Sequence, residues 1–276
     1  MKVRAPAVEG RFYPATETKI LKQIESMEKV SRYTPEIKMV KHIFGAVLPH
    51  AGHLYSGHQT IPFFRILMQH HIYPDTFVIV HPNHSGFGSP IAVDDSDLWV
   101  NAVGEVPINR EFASAMDLPF DQSAHEGEHS AEVLIPYIQY YFKDHSFKIV
   151  AVCMKDQSVE SARLVSGAIL KAANETSIDI MVLASSDFSH FLPPAVGMNR
   201  DQHVLDQILS RNTAGVEQAV KKHYVSVCGY GPVMALMDYS STLSPDYNIE
   251  VLARGHSGEV IRSNDVVDYI SIMMYK

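Results

Sequence analysis

Four short apolar runs, Phe44 to Leu48, Thr76 to Val80, Phe147 to Cys153 and Ile178 to Ala184, constrain this chain more than any other feature. They have the composition of strands buried on both faces. Amphipathic stretches lie between and after them: Thr16 to Glu28, His58 to Gln69, Ala131 to Phe142, Val159 to Ala173, Arg200 to Ser210 and Pro232 to Met237 read as helices. Ser130 is the expected N-cap of the third helix and Ser158 of the fourth. Such alternation predicts an α/β fold with a mainly parallel or mixed central sheet and helices on both faces. Two more strand runs, Tyr247 to Ala253 and Val266 to Met274, have no helix between them and are expected to pair antiparallel at an edge. No repeat, low-complexity segment or proline/glycine-rich linker interrupts the chain, so one domain over residues 1–276 is expected.

Composition excludes several function classes. A net charge of −8 argues against a nucleic-acid binder, which needs a basic face. The opening Met1-Lys2-Val3-Arg4-Ala5-Pro6 has no apolar stretch behind it, so no secretory signal is read there, and no apolar run approaches the roughly 20 residues of a membrane span. With only two cysteines, a disulfide scaffold is not expected and a reducing, cytoplasmic setting fits. The unusual count is 15 histidines against one tryptophan.

In α/β sheets, ligands bind beyond the carboxyl ends of the strands. Three strand ends here open into small, polar loops: Pro49-His50-Ala51-Gly52-His53, His81-Pro82-Asn83-His84-Ser85-Gly86 and Ser185-Ser186-Asp187-Phe188-Ser189-His190. His50, His84 and His190 are therefore candidate ligands or proton shuttles, whereas His42, His58, His70, His71, His145, His203, His223 and His256 read as ordinary surface or core residues. Two or three imidazoles with an acidic or thiol partner suit iron, copper or zinc. Asp187 has three open readings: orienting an imidazole, ligating a metal, or capping the next element. Cys228, in Val227-Cys228-Gly229-Tyr230-Gly231-Pro232, is either a small buried hydrophobe or a ligand, and its glycines allow close backbone approach. Cys153 reads as core.

His125-Glu126-Gly127-Glu128-His129 matches the zinc-protease pattern His-x-x-x-His with glutamate, in direct and inverted form. That chemistry needs both histidines on one helix face. Here Pro119 to Ser123 is turn-like, Gly127 sits mid-motif and the helical pattern begins only at Ser130. The segment is read instead as a loop that supplies His129 or Glu128 to the strand-end pocket. Neither a Gly-x-Ser-x-Gly elbow nor a phosphate-binding glycine loop is present.

Taken in order, Arg4 to Pro14, Pro49-His50-Ala51-Gly52, Pro82-Asn83-His84, Glu128-His129-Ser130, Ser185 to His190 and Cys228-Gly229 resemble the Memo family, whose bacterial and archaeal members are called AmmeMemoRadiSam system protein B. The resemblance covers nearly the whole chain. It implies a fold similar to class III extradiol ring-cleaving dioxygenases, which hold Fe(II). It also implies metal ligation by His50, His84 and Cys228, with His190 as pocket histidine, Asp187 as its companion and His129 lining the site. Two positions depart from the family pattern, His53 and His81, and are additional pocket candidates.

The resulting expectation is a cytoplasmic redox metalloprotein, with Fe(II) or copper as cofactor and zinc as an alternative, acting in a dioxygenase-like way on a small-molecule or peptide ligand. The family name implies a radical-SAM partner; neither nucleic acid nor membrane is expected as a partner. Two rival readings are a binding module that uses a vestigial dioxygenase pocket and a Zn-dependent hydrolase.

Overall fold

The computed structural model describes residues 1–30, 33, 37 and 40–276. In chain order the elements are β1 (Val3–Arg4), α1 (Glu17–Lys29), β2 (Ile43–Leu48), α2 (His53–Gln69), β3 (Thr76–Pro82), β4 (Ile91–Val93), β5 (Leu98–Asn101), β6 (Gly104–Pro107), α3 (Arg110–Ala115), α4 (Ile135–Tyr141), β7 (Lys148–Met154), α5 (Val159–Thr176), β8 (Ile180–Ser185), β9 (His190–Leu192), α6 (Pro194–Leu209), α7 (Thr213–His223), α8 (Tyr230–Leu243), β10 (Asn248–His256) and β11 (Val266–Tyr275).

The main sheet runs β10-β11-β2-β8-β3-β7-β4, with β9 paired to the start of β11. The four apolar runs form its parallel centre, β2-β8-β3-β7, and the two late strands pair antiparallel as an edge, β10 on β11. A small sheet, β1-β5-β6, lies apart. Side chains alternate across the central strands, as the two-residue strand period requires. Val78, Val80, Val150, Val152, Val182 and Ala184 pack in one core with residues of α5 and α8, such as Val165, Ile169, Val233 and Leu236. Phe77, Ile79, Ile149, Ala151, Met181 and Leu183 pack in the other with Ile20, Ile24, Phe63 and Tyr137 of α1, α2 and α4. Each such side chain contributes roughly 1.5–3 kcal/mol on burial. The sheet is therefore covered on both sides and open only at its ends.

The order β2-β8-β3 places the consecutive strands β2 and β3 on either side of β8. A crevice forms at the carboxyl ends where strand order departs from chain order in this way. Those three ends carry the loops of His50, Asp187 and His84.

Several boundaries differ from the sequence reading. Helix α2 begins at His53, not His58, because the His53 N–H donates to the Phe12 carbonyl at 2.8 Å and the chain turns into the helix at once. Strand β3 runs on to Pro82, paired with β7 as far as Met154, so His81 is a strand residue. Ser158 caps α5 as expected, accepting the Ser161 N–H at 3.2 Å. Ser130 caps nothing: its hydroxyl is held by Pro82 and Glu128, and the helix is preceded by a 3-10 turn over Glu132–Leu134. The short elements β1, β4, β5, β6, β9 and α3 lack a periodic apolar signal long enough to read, whereas α7 carries one in Val216, Ala219 and Val220 that the sequence reading passed over.

Candidate metal centre

His50 stands two residues past β2 and is almost fully buried, at 1% exposure. Its backbone N–H donates to Asp187 Oδ1 at 2.9 Å. Its ring orientation follows from a short chain. The Ser185 hydroxyl donates to the Ser130 carbonyl at 2.6 Å, so the lone pair of that hydroxyl must accept the His50 Nδ1–H, at 2.8 Å. Nε2 is left unprotonated and faces the Cys228 Sγ at 3.2 Å. Burial, then the neighbouring imidazoles of His129 and His84, push the His50 pKa well below the ordinary histidine range, which keeps the ring neutral.

His84 follows β3 and is fixed by Glu128 in a similar way. The Glu128 carboxylate accepts the His84 backbone N–H at 2.5 Å and its Nδ1–H at 2.9 Å, leaving Nε2 free. Glu128 also accepts from His129 N at 2.9 Å, Ser130 N at 3.0 Å and the Ser130 hydroxyl at 2.8 Å. Burial opposes its ionisation, but the hydrogen bond from His84 and the surrounding imidazoles hold its carboxyl well below the usual range. A carboxylate engaged by five donors mounts histidines. It has little capacity left to bind a metal, although His84, Glu128 and His129 cluster closely enough to suggest it.

Cys228 reaches the site from the turn before α8. Gly229 makes this approach feasible, since a Cβ there would lie 2.2 Å from the Ser185 carbonyl oxygen and 2.7 Å from the Ser186 Cβ. The Gly229 N–H donates to the Ser186 hydroxyl at 3.0 Å, and the Asp187 N–H points at Cys228 Sγ at 3.3 Å. Burial, then the charge of Asp187, push the thiol well above its ordinary range. A thiol in such surroundings stays protonated until a cation offsets the charge of the thiolate.

His50, His84 and Cys228 thus place one nitrogen, one nitrogen and one sulfur within 4.8 Å of one another. The donor set fits a metal: two imidazoles with Nδ1 fixed by a hydroxyl and a carboxylate, and a thiol that lacks a compensating charge. Fixing the outer nitrogen in this way is the usual support of a histidine ligand.

The remaining residues line a cavity of about 480 Å³ in front of this cluster. His129 lines it, with ring centroids 4.7 Å from His84 and 5.5 Å from His50, its pKa lowered to about 4 by burial. His190, at the start of β9, also lines it. Its Nδ1–H donates to the Ser226 carbonyl at 2.8 Å, so its Nε2 is the basic nitrogen. Asp187 is buried, its pKa raised to about 6 by burial, and its carboxylate binds the His50 backbone rather than the His190 ring. Since α2 begins only at His53 and the next element after Asp187 is β9, this bond fixes the His50 loop and caps neither element. Phe12, Tyr55, Ile261, Val267 and Tyr269 supply apolar wall.

His53 and His81, the two extra pocket candidates, do not line the cavity. His53 Nε2 bonds the Val133 carbonyl at 2.8 Å between the rings of Tyr13 and Tyr137. His81 Nδ1 lies 3.0 Å from the Ser130 hydroxyl and its Nε2 3.3 Å from His125 Nδ1. Both are fully buried, with pKa values lowered by burial to about 4 and about 3. The protease-like motif is also resolved. His125 points at the Ala92 carbonyl at 3.1 Å while His129 faces the cavity, so the two rings do not share a ligand position. Sequence reasoning did not find Ser185, Ser226 or the wall residues Phe12, Tyr55 and Tyr269. Ser185 had a local signal, its place at a strand end, and Phe12 lies in the Arg4 to Pro14 segment that carries the family resemblance.

Residues 4–273 match the family described as Memo-like protein. Among curated proteins, the chain is 37% identical over 276 residues to a MEMO1 family protein of Archaeoglobus fulgidus, covering 98% of this chain and 99% of that one. It is 36% identical over 285 residues to one of Pyrobaculum aerophilum, covering all of both, and 33% identical over 276 residues to one of Methanosarcina barkeri, covering 99% and 100%. A solved structure, an uncharacterized protein from Escherichia coli K12, superposes with a TM-score of 0.52 at 15% identity, over 78% of this chain and 91% of that one, which shows a shared fold. Among the described residues no helix is long and apolar enough to cross a membrane. Matched along nearly its whole length, the chain belongs to the Memo-like protein family.

Proposed function

We propose that this protein is a redox metalloprotein in which His50, His84 and Cys228 hold Fe(II) or copper and His190 serves as acid–base for a small ligand in the adjoining cavity. The observation that carries this reading is the convergence of three donor atoms within 4.8 Å of one another behind a cavity lined by two more imidazoles. A bound ion of this kind would supply open positions for a ligand and dioxygen, and its thiolate ligand makes soft or redox-active metals the better match.

The protein's own groups have separable tasks. Ser185 and Glu128 hold the rings of His50 and His84 with Nε2 inward. Asp187 holds the His50 backbone, and Gly229 lets the thiol in. His190 Nε2, with Nδ1–H anchored on Ser226, takes a proton from a hydroxyl group of the ligand and returns it. Phe12, Tyr55 and Tyr269 favour a flat or apolar ligand body and exclude water from it.

Metal analysis of anaerobically purified protein, alongside Cys228→Ser, tests the reading, with oxygen uptake measured after Fe(II) or copper reconstitution. One equivalent of metal in the unaltered protein, lost in Cys228→Ser, is the expected result. Absence of stoichiometric metal in both would remove the proposal. Turnover with Zn(II) under strict anaerobiosis would replace oxygen chemistry with hydrolysis.

A further inference from the structure

His81 and His125 are buried to 1% exposure behind the candidate metal centre, and nothing in the proposed chemistry uses them. Two imidazoles in a protein interior need hydrogen-bond partners. Every partner they have belongs to a segment that carries or holds His84, apart from the carbonyl at the far end. His81 Nδ1 lies 3.0 Å from the Pro82 carbonyl, two residues before His84, and 3.0 Å from the Ser130 hydroxyl. That hydroxyl lies 2.8 Å from Glu128 Oε1, the atom that accepts the His84 Nδ1–H at 2.9 Å. On the other side, His81 Nε2 meets His125 Nδ1 at 3.3 Å, and His125 Nε2 ends on the Ala92 carbonyl at 3.1 Å.

The row of contacts is therefore Ala92, His125, His81, Ser130, Glu128, His84. It does not conduct protons outward, since its far end is a backbone carbonyl with no proton to exchange. It does fix a position. The Ser130 hydroxyl gives its one proton to Glu128 and is placed to accept the His81 Nδ1–H, and Glu128 cannot swing without breaking that arrangement. Rigid outer groups decide how well a ligand nitrogen is aimed.

We propose that His81, backed by His125, is a positioning residue that acts through Ser130 and Glu128 to aim His84 at the metal. The proposal rests on the reading of His84 as a ligand, and the test separates the two. The probe is Co(II) alone, titrated into the purified protein and followed by visible absorption, which reports ligand geometry as well as affinity. His81→Asn keeps a polar atom near the Nδ1 position, facing Ser130. His81→Gln keeps one near the Nε2 position, facing His125. A role in filling space or satisfying burial treats the two alike, whereas positioning through Ser130 does not.

The expected result is that His81→Asn binds Co(II) within about threefold of the unaltered protein, while His81→Gln and Ser130→Ala each weaken binding by about 10- to 100-fold and shift the absorption band. Combining His81→Gln with Ser130→Ala should add little to the larger single effect, because both act in one row. Equal behaviour of the two His81 variants, or additive effects, would overturn the proposal. If the His81 variants do not fold, Ser130→Ala decides alone, and an unchanged band and affinity would overturn it. If the unaltered protein binds no Co(II), the metal reading falls by itself. The positioning claim is then decided by the nitrogen-15 signal of His84 Nδ1–H in metal-free Ser130→Ala, where a shift supports it and an unchanged signal overturns it.

Discussion

The Cys228 thiol lies 3.2 Å from the Nε2 of His50, a residue 178 positions earlier in the chain. The contact joins the end of β2 to the turn before α8 across the end of β8, and it brings the sulfur within reach of both His50 and His84.

Replacing Cys228 by serine removes the only sulfur in the cluster, leaving a neutral hydroxyl among the imidazoles. Loss of a supporting group typically lowers metal affinity 10- to 100-fold, so loss of a ligand should cost about 100-fold or more. A Co(II) titration should show both the weaker binding and the disappearance of the sulfur charge-transfer band. A band that persists would mean that the thiol does not ligate.

Gly229→Ala places a methyl group 2.2 Å from the Ser185 carbonyl oxygen, so the strand end or the Cys228 turn must move. Overpacking of this kind costs about 1–3 kcal/mol. Thermal unfolding should shift down accordingly. Because the displaced residue adjoins Cys228, metal stoichiometry should fall in the same variant. Unaltered stability and metal content together would contradict the close approach of this turn to the end of β8.

Arg4 and Glu132 form an ion pair at 2.9 Å with both side chains almost wholly buried. Arg4 also donates to the carbonyls of His125 and Glu128, while Glu132 accepts from Ala7 N, Val8 N and the Tyr13 hydroxyl. The pair therefore ties the first strand to the loop that mounts His84 and His129. Arg4→Ala leaves an uncompensated buried carboxylate and should destabilise the fold by about 3–5 kcal/mol, measured by denaturant unfolding. A loss below about 1 kcal/mol would show that the pair is not closed in solution.

Asp268 and Asp201 form a buried acidic pair behind His190, with Ser189 donating to Asp201 through its N–H at 3.0 Å and its hydroxyl at 2.6 Å. Burial, then contact with Asp201, pushes the Asp268 pKa up to about 8. Raised above its unfolded value near 4, the group binds a proton in the folded state where the unfolded chain does not. Stability from this source is present at low pH and declines as pH rises from about 4 to about 8, by at most about 1.4 kcal/mol per pH unit. The difference in unfolding free energy between the unaltered protein and Asp268→Asn should fall across that range; the buried histidines, whose pKa values are lowered, add a slope of the opposite sign to both proteins and cancel in the difference. A difference that rises with pH in this window would contradict the raised pKa of Asp268.

The central strands, the antiparallel pair at the edge and the helices on both faces were legible because burial on both sides of a sheet leaves an uninterrupted apolar run, a local property of the chain. His50, His84 and His190 were legible because strand ends in such a sheet face one crevice. Cys228 was legible only through the family resemblance, since by its local pattern a cysteine in a glycine-rich turn looks the same whether it packs or ligates. Only the tertiary structure brings its sulfur to 3.2 Å from His50. Asp187 had three open readings, and its bond goes to the backbone of the His50 loop.

The sequence by itself determined the layers of the fold and the loops that carry chemistry, because both follow from periodicity and strand order. Which histidines face the cavity was left to the tertiary structure. His53 and His84 sit in comparable loops by sequence, yet one begins a helix and packs between two tyrosines while the other is turned toward the cavity by Glu128. The physical reason is that ring orientation is set by the hydrogen-bond partner of the second nitrogen. For His50 and His84 those partners, Ser185 and Glu128, come from parts of the chain 135 and 44 residues away.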